Sequence, residues 1–288
     1  AVCLGTFESK ESLPVILIKD GKNLSSRSFL KKSEEKTYPI HIKIDSGMHR
    51  LGFGEDDIPA LVEILRQESR LVVVRTIFSH LATADVPEEE AYARTQIATF
   101  DKISSALLEA LPYHALRHIC NSAGIEKFPE AQYDMCRLGI GMYGFSFLSN
   151  NQLPITNNLR NVCTLKTTIL SIKTVNTDET IGYGRHTTLN EPRQIAVIPI
   201  GYADGFDRRF SNYGGEVVVR GKRCPVVGNV CMDQAMIDIT GADAQVGDIV
   251  EIFGDRLPIT ELANKLGTIP YEVLTSISHR VQRVYFYE

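Results

Sequence analysis

Six short segments of this chain concentrate side chains that can move protons or hold anions. Lys43-Ile44-Asp45-Ser46-Gly47-Met48-His49-Arg50 carries an amine and a guanidinium. His80-Leu81-Ala82-Thr83-Ala84-Asp85 opens on an imidazole, and Asp134-Met135-Cys136-Arg137-Leu138-Gly139-Ile140-Gly141-Met142-Tyr143-Gly144 carries a second guanidinium. Ile181-Gly182-Tyr183-Gly184-Arg185 holds a phenol. Ile200-Gly201-Tyr202-Ala203-Asp204-Gly205 and Val230-Cys231-Met232-Asp233 complete the set. A tyrosine hydroxyl has a pKa near 10, so it serves as a base only beside positive charge or a hydrogen-bonded relay. The planar fork of arginine suits bidentate carboxylate recognition. Read singly, each group has a plainer role. Tyr183 would be a surface aromatic, Arg137 a structural ion-pair member, and His80 a satisfied core histidine. Lys43 would be a strand-end lysine, Ser122 a helix N-cap, and Tyr202, Met232 and Asp233 ordinary strand residues.

These side chains need elements to position them. Ile40, Ile42 and Ile44 alternate with His41, Lys43 and Asp45, which is strand periodicity. Residues 55–69 place Ile58, Leu61, Val62 and Leu65 at helical spacing. Leu71 to His80 reads as a β-branched strand, and Pro87 opens a long helix with Ile97, Phe100, Leu107 and Leu108 on its apolar side. Tyr113 to Cys120 and Asp134 to Met142 are further strand candidates. This alternation predicts parallel βα units, with Lys43, Asp45, His80, Asn121 and Arg137 at or near strand ends, where a β/α barrel builds its chemistry. About four such units are visible, too few to close eight strands. Residues 149–160 read as a boundary loop. Beyond it come strands over 164–175, 195–202, 216–219, 223–227, 235–239 and 248–253, with a hairpin at Arg220-Gly221-Lys222 and one helix near 259–266. The expected fold class is therefore α/β: a partial β/α barrel over 38–148, then a mostly β domain over 149–288. Residues 1–37 stay unassigned, apart from a candidate strand at Pro14 to Lys19.

The bulk numbers bound the function. A chain of 288 residues, 43% hydrophobic, is large enough for two domains and a sizeable core. Its net charge of -4 offers no basic field for nucleic acid. Its apolar runs are too short to span a membrane, and no signal peptide is read at the abrupt start Ala1-Val2-Cys3. The expectations are a cytoplasmic protein and a chain that begins inside a longer protein or gene. Six cysteines are scattered without a C-x-x-C, which points to buried thiols rather than disulfides or a metal site.

The six segments, in this order over about residues 38–288, resemble alanine racemase, a pyridoxal-phosphate enzyme. The resemblance implies interconversion of L- and D-alanine, which supplies D-alanine for peptidoglycan. It implies Tyr183 as one of two catalytic bases, lent by the partner subunit of a homodimer. Arg137 would face the cofactor's pyridine nitrogen, with His80 beside the ring. Arg50 would reach the phenolic oxygen and the substrate carboxylate, and Lys43 would be a lysine carbamylated in many members. Asn121, Ser122, Gly139, Ile140 and Tyr271 would form the phosphate cup. Tyr202, Met232 and Asp233 would line the substrate entrance. One part of the family pattern is missing: no segment resembles Lys-Ala-Asn/Asp-Ala-Tyr-Gly, whose lysine holds the cofactor. The chain thus resembles an N-terminally shortened racemase, expected to be inactive as it stands. Competing readings are a non-catalytic remnant or a piece of a larger fusion, a racemase of this fold with another amino-acid substrate, and a related decarboxylase.

Overall fold

The computed structural model describes residues 37–146 and 159–285. The chain divides into two compact units, 1–160 and 161–288. The expected linker falls almost wholly outside the described residues, as does all of the amino-terminal segment except Thr37.

The first unit is built on three parallel strands in the order β1-β2-β3: β1 (Tyr38–Lys43), β2 (Val72–Phe78) and β3 (Leu116–His118). The isoleucine alternation does what its period requires. Ile40, Ile42 and Ile44 are buried, and Lys43 comes opposite Phe78 on the other face. Helix α1 (Ile58–Gln67) follows a 3-10 turn at Glu55–Asp57 and buries Ile58, Leu61 and Leu65. Helix α2 (Glu90–Ala110) is preceded by a 3-10 turn at Pro87–Glu89. Its buried positions Ala93, Gln96, Phe100, Ile103 and Leu107 form one stripe at three- and four-residue spacing. It stops where Pro112 forces the preceding Leu111 into extended backbone (φ -91, ψ 141). Helix α3 (Ser122–Lys127) follows β3.

Two expected strands differ. Tyr113 to Cys120 is strand only over β3, and Asp134 to Met142 is no strand but an irregular stretch ending in a 3-10 turn at Ile140–Tyr143. Gly139 sits at φ -111, ψ -112, outside the strand basin. The amides of Gly139 and Gly141 donate to a side chain, Ser122, instead of to a neighbouring strand.

The second unit contains a seven-stranded sheet in the order β4-β12-β9-β10-β11-β8-β5 and a two-stranded ribbon of β6 (Thr180–Ile181) and β7 (Thr187–Thr188). The sheet strands are β4 (Leu165–Thr168), β5 (Ser171–Val175), β8 (Arg193–Ile198), β9 (Glu216–Val219), β10 (Lys222–Val227), β11 (Ala235–Asp238) and β12 (Ile249–Phe253). The stretch read as one strand over 164–175 is two. Ile169 N–H donates to Asp248 beside β12, and Leu170 N–H donates to Val197 of β8. Two consecutive residues thus join the two ends of the strand order, which curls the sheet. The hairpin expected at Arg220-Gly221-Lys222 is there, with Arg220 and Gly221, both at positive φ, as its two-residue turn and Lys222 already in β10. Helix α4 (Ile259–Leu266) matches its expected bounds, and α5 (Pro270–Ser276) starts on a proline. Among the described residues no helix is long and apolar enough to cross a membrane.

Candidate active site

In the first unit the chemistry gathers just past the carboxyl ends of the parallel strands. A backbone bond from Arg137 N–H to Cys120 C=O (3.0 Å) pins the irregular stretch beside β3. The Arg137 guanidinium then donates to the carbonyls of Ser79 (2.5 Å), Ile119 (3.3 Å) and His118 (3.4 Å), to His80 Nδ1 (3.0 Å) and to His118 Nδ1. It also lies over the Phe78 ring, 5.4 Å from the centroid. Arginine can only donate, so both Nδ1 atoms must accept. Each neutral ring therefore carries its proton on Nε2. Burial, then the Arg137 charge, then Arg50 and Lys43, push His80 down to about 4. Burial and Arg137 push His118 down to about 3. Both imidazoles are neutral at pH 7.

Beside this cluster, residues 45–52 leave the sheet and return through paired backbone bonds between Lys43, Asp45 and Phe53. Asp45 Oδ1 accepts from the amides of Gly47 and His49, which shapes this excursion. Arg50 is exposed on it. Buried Ser79 donates to Ile44 C=O (2.8 Å) and meets the Ser46 hydroxyl at 2.7 Å, so the ends of β1 and β2 are cross-linked. Burial first, then Arg50 and Arg137, lower the Lys43 amine from its usual range, against a smaller opposing effect of Asp45. At the start of α3 the N-cap is Asn121, not Ser122: Asn121 Oδ1 accepts from Gly124 N–H at 3.0 Å. Ser122 is buried, and its hydroxyl gathers the amides of Gly139 (2.9 Å) and Gly141 (3.2 Å). Ile140 is buried next to it.

The second unit brings together another group. Tyr183, Tyr202, Met232 and Asp233 line one cavity of about 330 Å³ with Arg208, Asn229, Val230 and Cys231. Tyr183 is 76% exposed, Tyr202 50% and Met232 55%. Gly182 and Gly184 flank Tyr183 at positive φ, and Asn229 Nδ2 donates to its carbonyl at 2.8 Å. Tyr202 and Ala203 donate their amides to the carbonyls of Cys231 and Met232. That contact explains Gly201, whose Cβ would stand 2.3 Å from Cys231 O. Asp204, buried, caps Gly201 N–H and pairs with Arg280 at 2.5 Å. Tyr271 is exposed in the first turn of α5. So Lys43, His80 and Arg137 share one cluster, with Arg50 on the adjoining excursion. Asn121, Ser122, Gly139 and Ile140 share a second site, and Tyr183, Tyr202, Met232 and Asp233 a third. Sequence reasoning missed Ser79, Gln96, His118 and Arg208. His118 ends a short strand inside the candidate Tyr113 to Cys120, and no motif sets it apart in the sequence. Among the described residues no group of three or more His, Cys, Asp or Glu could hold a metal ion.

The comparisons agree over both units. The family described as alanine racemase, N-terminal domain, matches residues 15–147, and that described as alanine racemase, C-terminal domain, matches 162–285. The chain is 42% identical to "Alanine racemase 2" of Caldanaerobacter subterraneus subsp. tengcongensis, over 88% of this chain and 65% of that protein. It is 40% identical to "Alanine racemase 1" of Oceanobacillus iheyensis, over 88% and 68%. The chain thus spans about two thirds of the length of these relatives. Among solved structures, the alanine racemase of Clostridium difficile superposes with a TM-score of 0.80 at 38% identity, covering 90% of this chain and 67% of that one. A Bartonella henselae alanine racemase with covalently bound pyridoxal phosphate superposes with a TM-score of 0.79 at 29% identity, covering 91% and 70%.

Proposed function

The chain belongs to the alanine racemase family, and from that premise we propose that it supplies one acid/base and most of the cofactor cradle of a pyridoxal-phosphate-dependent enzyme interconverting L- and D-alanine. The observation that carries the reading is the Arg137 cluster: an always-charged guanidinium held by two neutral histidines and three carbonyls at the strand ends.

The residues fit the cofactor in two places. Ser122, where two amides already converge on one oxygen, suits a phosphate, with Asn121, Gly139 and Ile140 in the same site, and the family resemblance adds Tyr271 to that cup. Arg137 suits a pyridine nitrogen that must stay unprotonated, since a fixed cation opposes adding a second. In a third place there is no fit, because no lysine of this sequence sits in the family's cofactor-lysine motif. When bound, pyridoxal phosphate withdraws electrons from the substrate and acidifies an α-proton that no side chain removes unaided.

Tyr183 Oη takes or returns that proton on one face. His80, fixed as the Nε2–H tautomer by Arg137, is the relay the phenol needs. Arg50 and the backbone N–H of Met232 hold the substrate carboxylate, while Tyr202 and Asp233 line the way in. Lys43, with its amine pushed toward the neutral form, is suited to react with carbon dioxide. That reaction forms a carbamate and releases one proton, and the new negative charge would face Arg50 and Arg137. Tyr183 and the Arg137 cluster meet across a homodimer in this reading. It places the protein in the cytoplasm, in the supply of D-alanine for peptidoglycan.

Made as these 288 residues alone, the chain is expected to show no racemisation. It should also give no single stoichiometric lysine adduct after pyridoxal phosphate, borohydride and peptide mapping; such an adduct together with activity would reject this. Placed behind a segment carrying the Lys-Ala-Asn-Ala-Tyr-Gly motif, it should racemise alanine. There Tyr183→Phe should lower kcat by on the order of 10²-fold or more with KM little changed. Exchange of the α-proton should suffer far more from one enantiomer than from the other. Equal loss for both would count against a two-base assignment.

A further inference from the structure

Gln96 lies in α2 and is fully buried, 0% exposed, on the stripe otherwise made of Ala93, Phe100, Ile103 and Leu107. A carboxamide there costs stability unless both its ends are bonded. Both are. Gln96 Oε1 accepts from Ala82 N–H at 2.8 Å, and Gln96 Nε2 donates to His80 C=O at 3.3 Å. Between them Leu81 C=O accepts from Asn121 Nδ2 at 3.4 Å. The sheet offers these peptide groups nothing. The last ladder pair of β2 is Phe78 with Lys43 and His118, and Ser79 N–H reaches His118 C=O before the chain turns away. The segment that carries His80 is therefore held by side chains, and two of its three bonds come from one residue. His80 Nδ1 meets Arg137 only if this backbone stays where it is.

We propose that Gln96 is a positioning residue for His80: its carboxamide clamps the 80–82 backbone so that the imidazole stays against Arg137. The proposal rests on reading His80 as a group beside the cofactor, but its test needs neither cofactor nor turnover. A residue that merely filled the α2 stripe would affect stability alone. A clamp also controls the surroundings of the His80 ring, which is buried and faces the charges of Arg137, Arg50 and Lys43.

The test is a ¹⁵N-histidine NMR titration of the 288-residue chain and of Gln96→Leu. In the unaltered chain His80 should stay neutral to about pH 4. In Gln96→Leu its midpoint should rise by about one unit or more toward the ordinary imidazole value, while His118 stays put. An unchanged His80 midpoint with only a lowered Tm would overturn the clamp. If Gln96→Leu does not fold, amide exchange in the unaltered chain decides. Ala82 is itself exposed, so its amide should be protected to the level of the β2 core only through Gln96. Exchange as fast as at the exposed Asp85 would overturn the proposal. A failed Tyr183→Phe test would leave this clamp standing, and a failed clamp would leave the racemase reading standing.

Discussion

His80 and His118 each offer an unprotonated Nδ1 to Arg137, and that arrangement makes the first unit sensitive to acid. Folded, they take up protons only near pH 4 and pH 3. Unfolded, they do so near 6.5. Between those values the unfolded chain binds more protons, so stability rises with pH. Their contribution is complete above about pH 6.5 and is lost as pH falls toward 4 and then 3. The thermal midpoint of the first unit should drop by about 5 °C or more from pH 7 to pH 4.5, and His118→Gln should shrink that drop. A drop of the same size in the variant would mean other groups carry it. The residue types of this site were legible because Arg137, His80 and Arg50 sit in distinctive strings. Gln96 was not, since a glutamine at a helical position reads as solvent-facing until a loop from 14 residues earlier is seen to need it. Ser122 was half-legible. A serine at a helix start suggests a cap, but the asparagine before it holds that place and leaves the serine hydroxyl to the Gly139 and Gly141 amides.

Elements with a strong local period were legible nearly to the residue. The β1 isoleucines and the Arg220-Gly221 hairpin each follow from a spacing or a turn type that has one good solution, whereas in α2 the expected apolar side named buried Phe100 and Leu107 but also Ile97 and Leu108, which are only partly buried, and left out Gln96 and Ile103. Asp134 to Met142 was misread because an apolar, glycine-bearing run fits a strand or a loop equally well, and only the Ser122 hydroxyl decides between them. Gly201 shows how closely two elements approach. A methyl group there would stand 2.3 Å from Cys231 O and 2.5 Å from the Met232 carbonyl carbon. Gly201→Ala should therefore cost about 3 kcal/mol of stability by urea unfolding and displace Met232. A change under about 0.5 kcal/mol would show that the backbone yields freely. In α2, Phe100 is fully buried, and Phe100→Ala should cost roughly 3–5 kcal/mol, separating α2 from the strands.

At the scale of the whole molecule, Tyr183 belongs to the second unit and Arg137 to the first, and the proposed homodimer pairs them across two chains. Activity per chain of the lysine-supplied protein should fall on dilution below the dimer dissociation constant. Mixing its Tyr183→Phe form with a form lacking the added lysine should restore activity, since one of the two sites in that heterodimer holds both bases. No rescue in verified heterodimers would place Tyr183 and the lysine on one chain. Such pairing is not legible in local patterns, because it depends on residues far apart in sequence and on a second copy. The two-residue corner at Ile169 and Leu170 has its own consequence at this scale. The first and last strands of the order, β4 and β5, pair on one side only, but the corner that divides them keeps these edges to four and five residues, and short edges give another strand little to add to, so this corner is a safeguard against aggregation. Two glycines inserted between Ile169 and Leu170 should loosen this corner and drive the protein into sedimenting, thioflavin-positive material. The same insertion at the Arg220-Gly221 hairpin, which lies between two inner strands of the order and away from the corner, should leave it in solution.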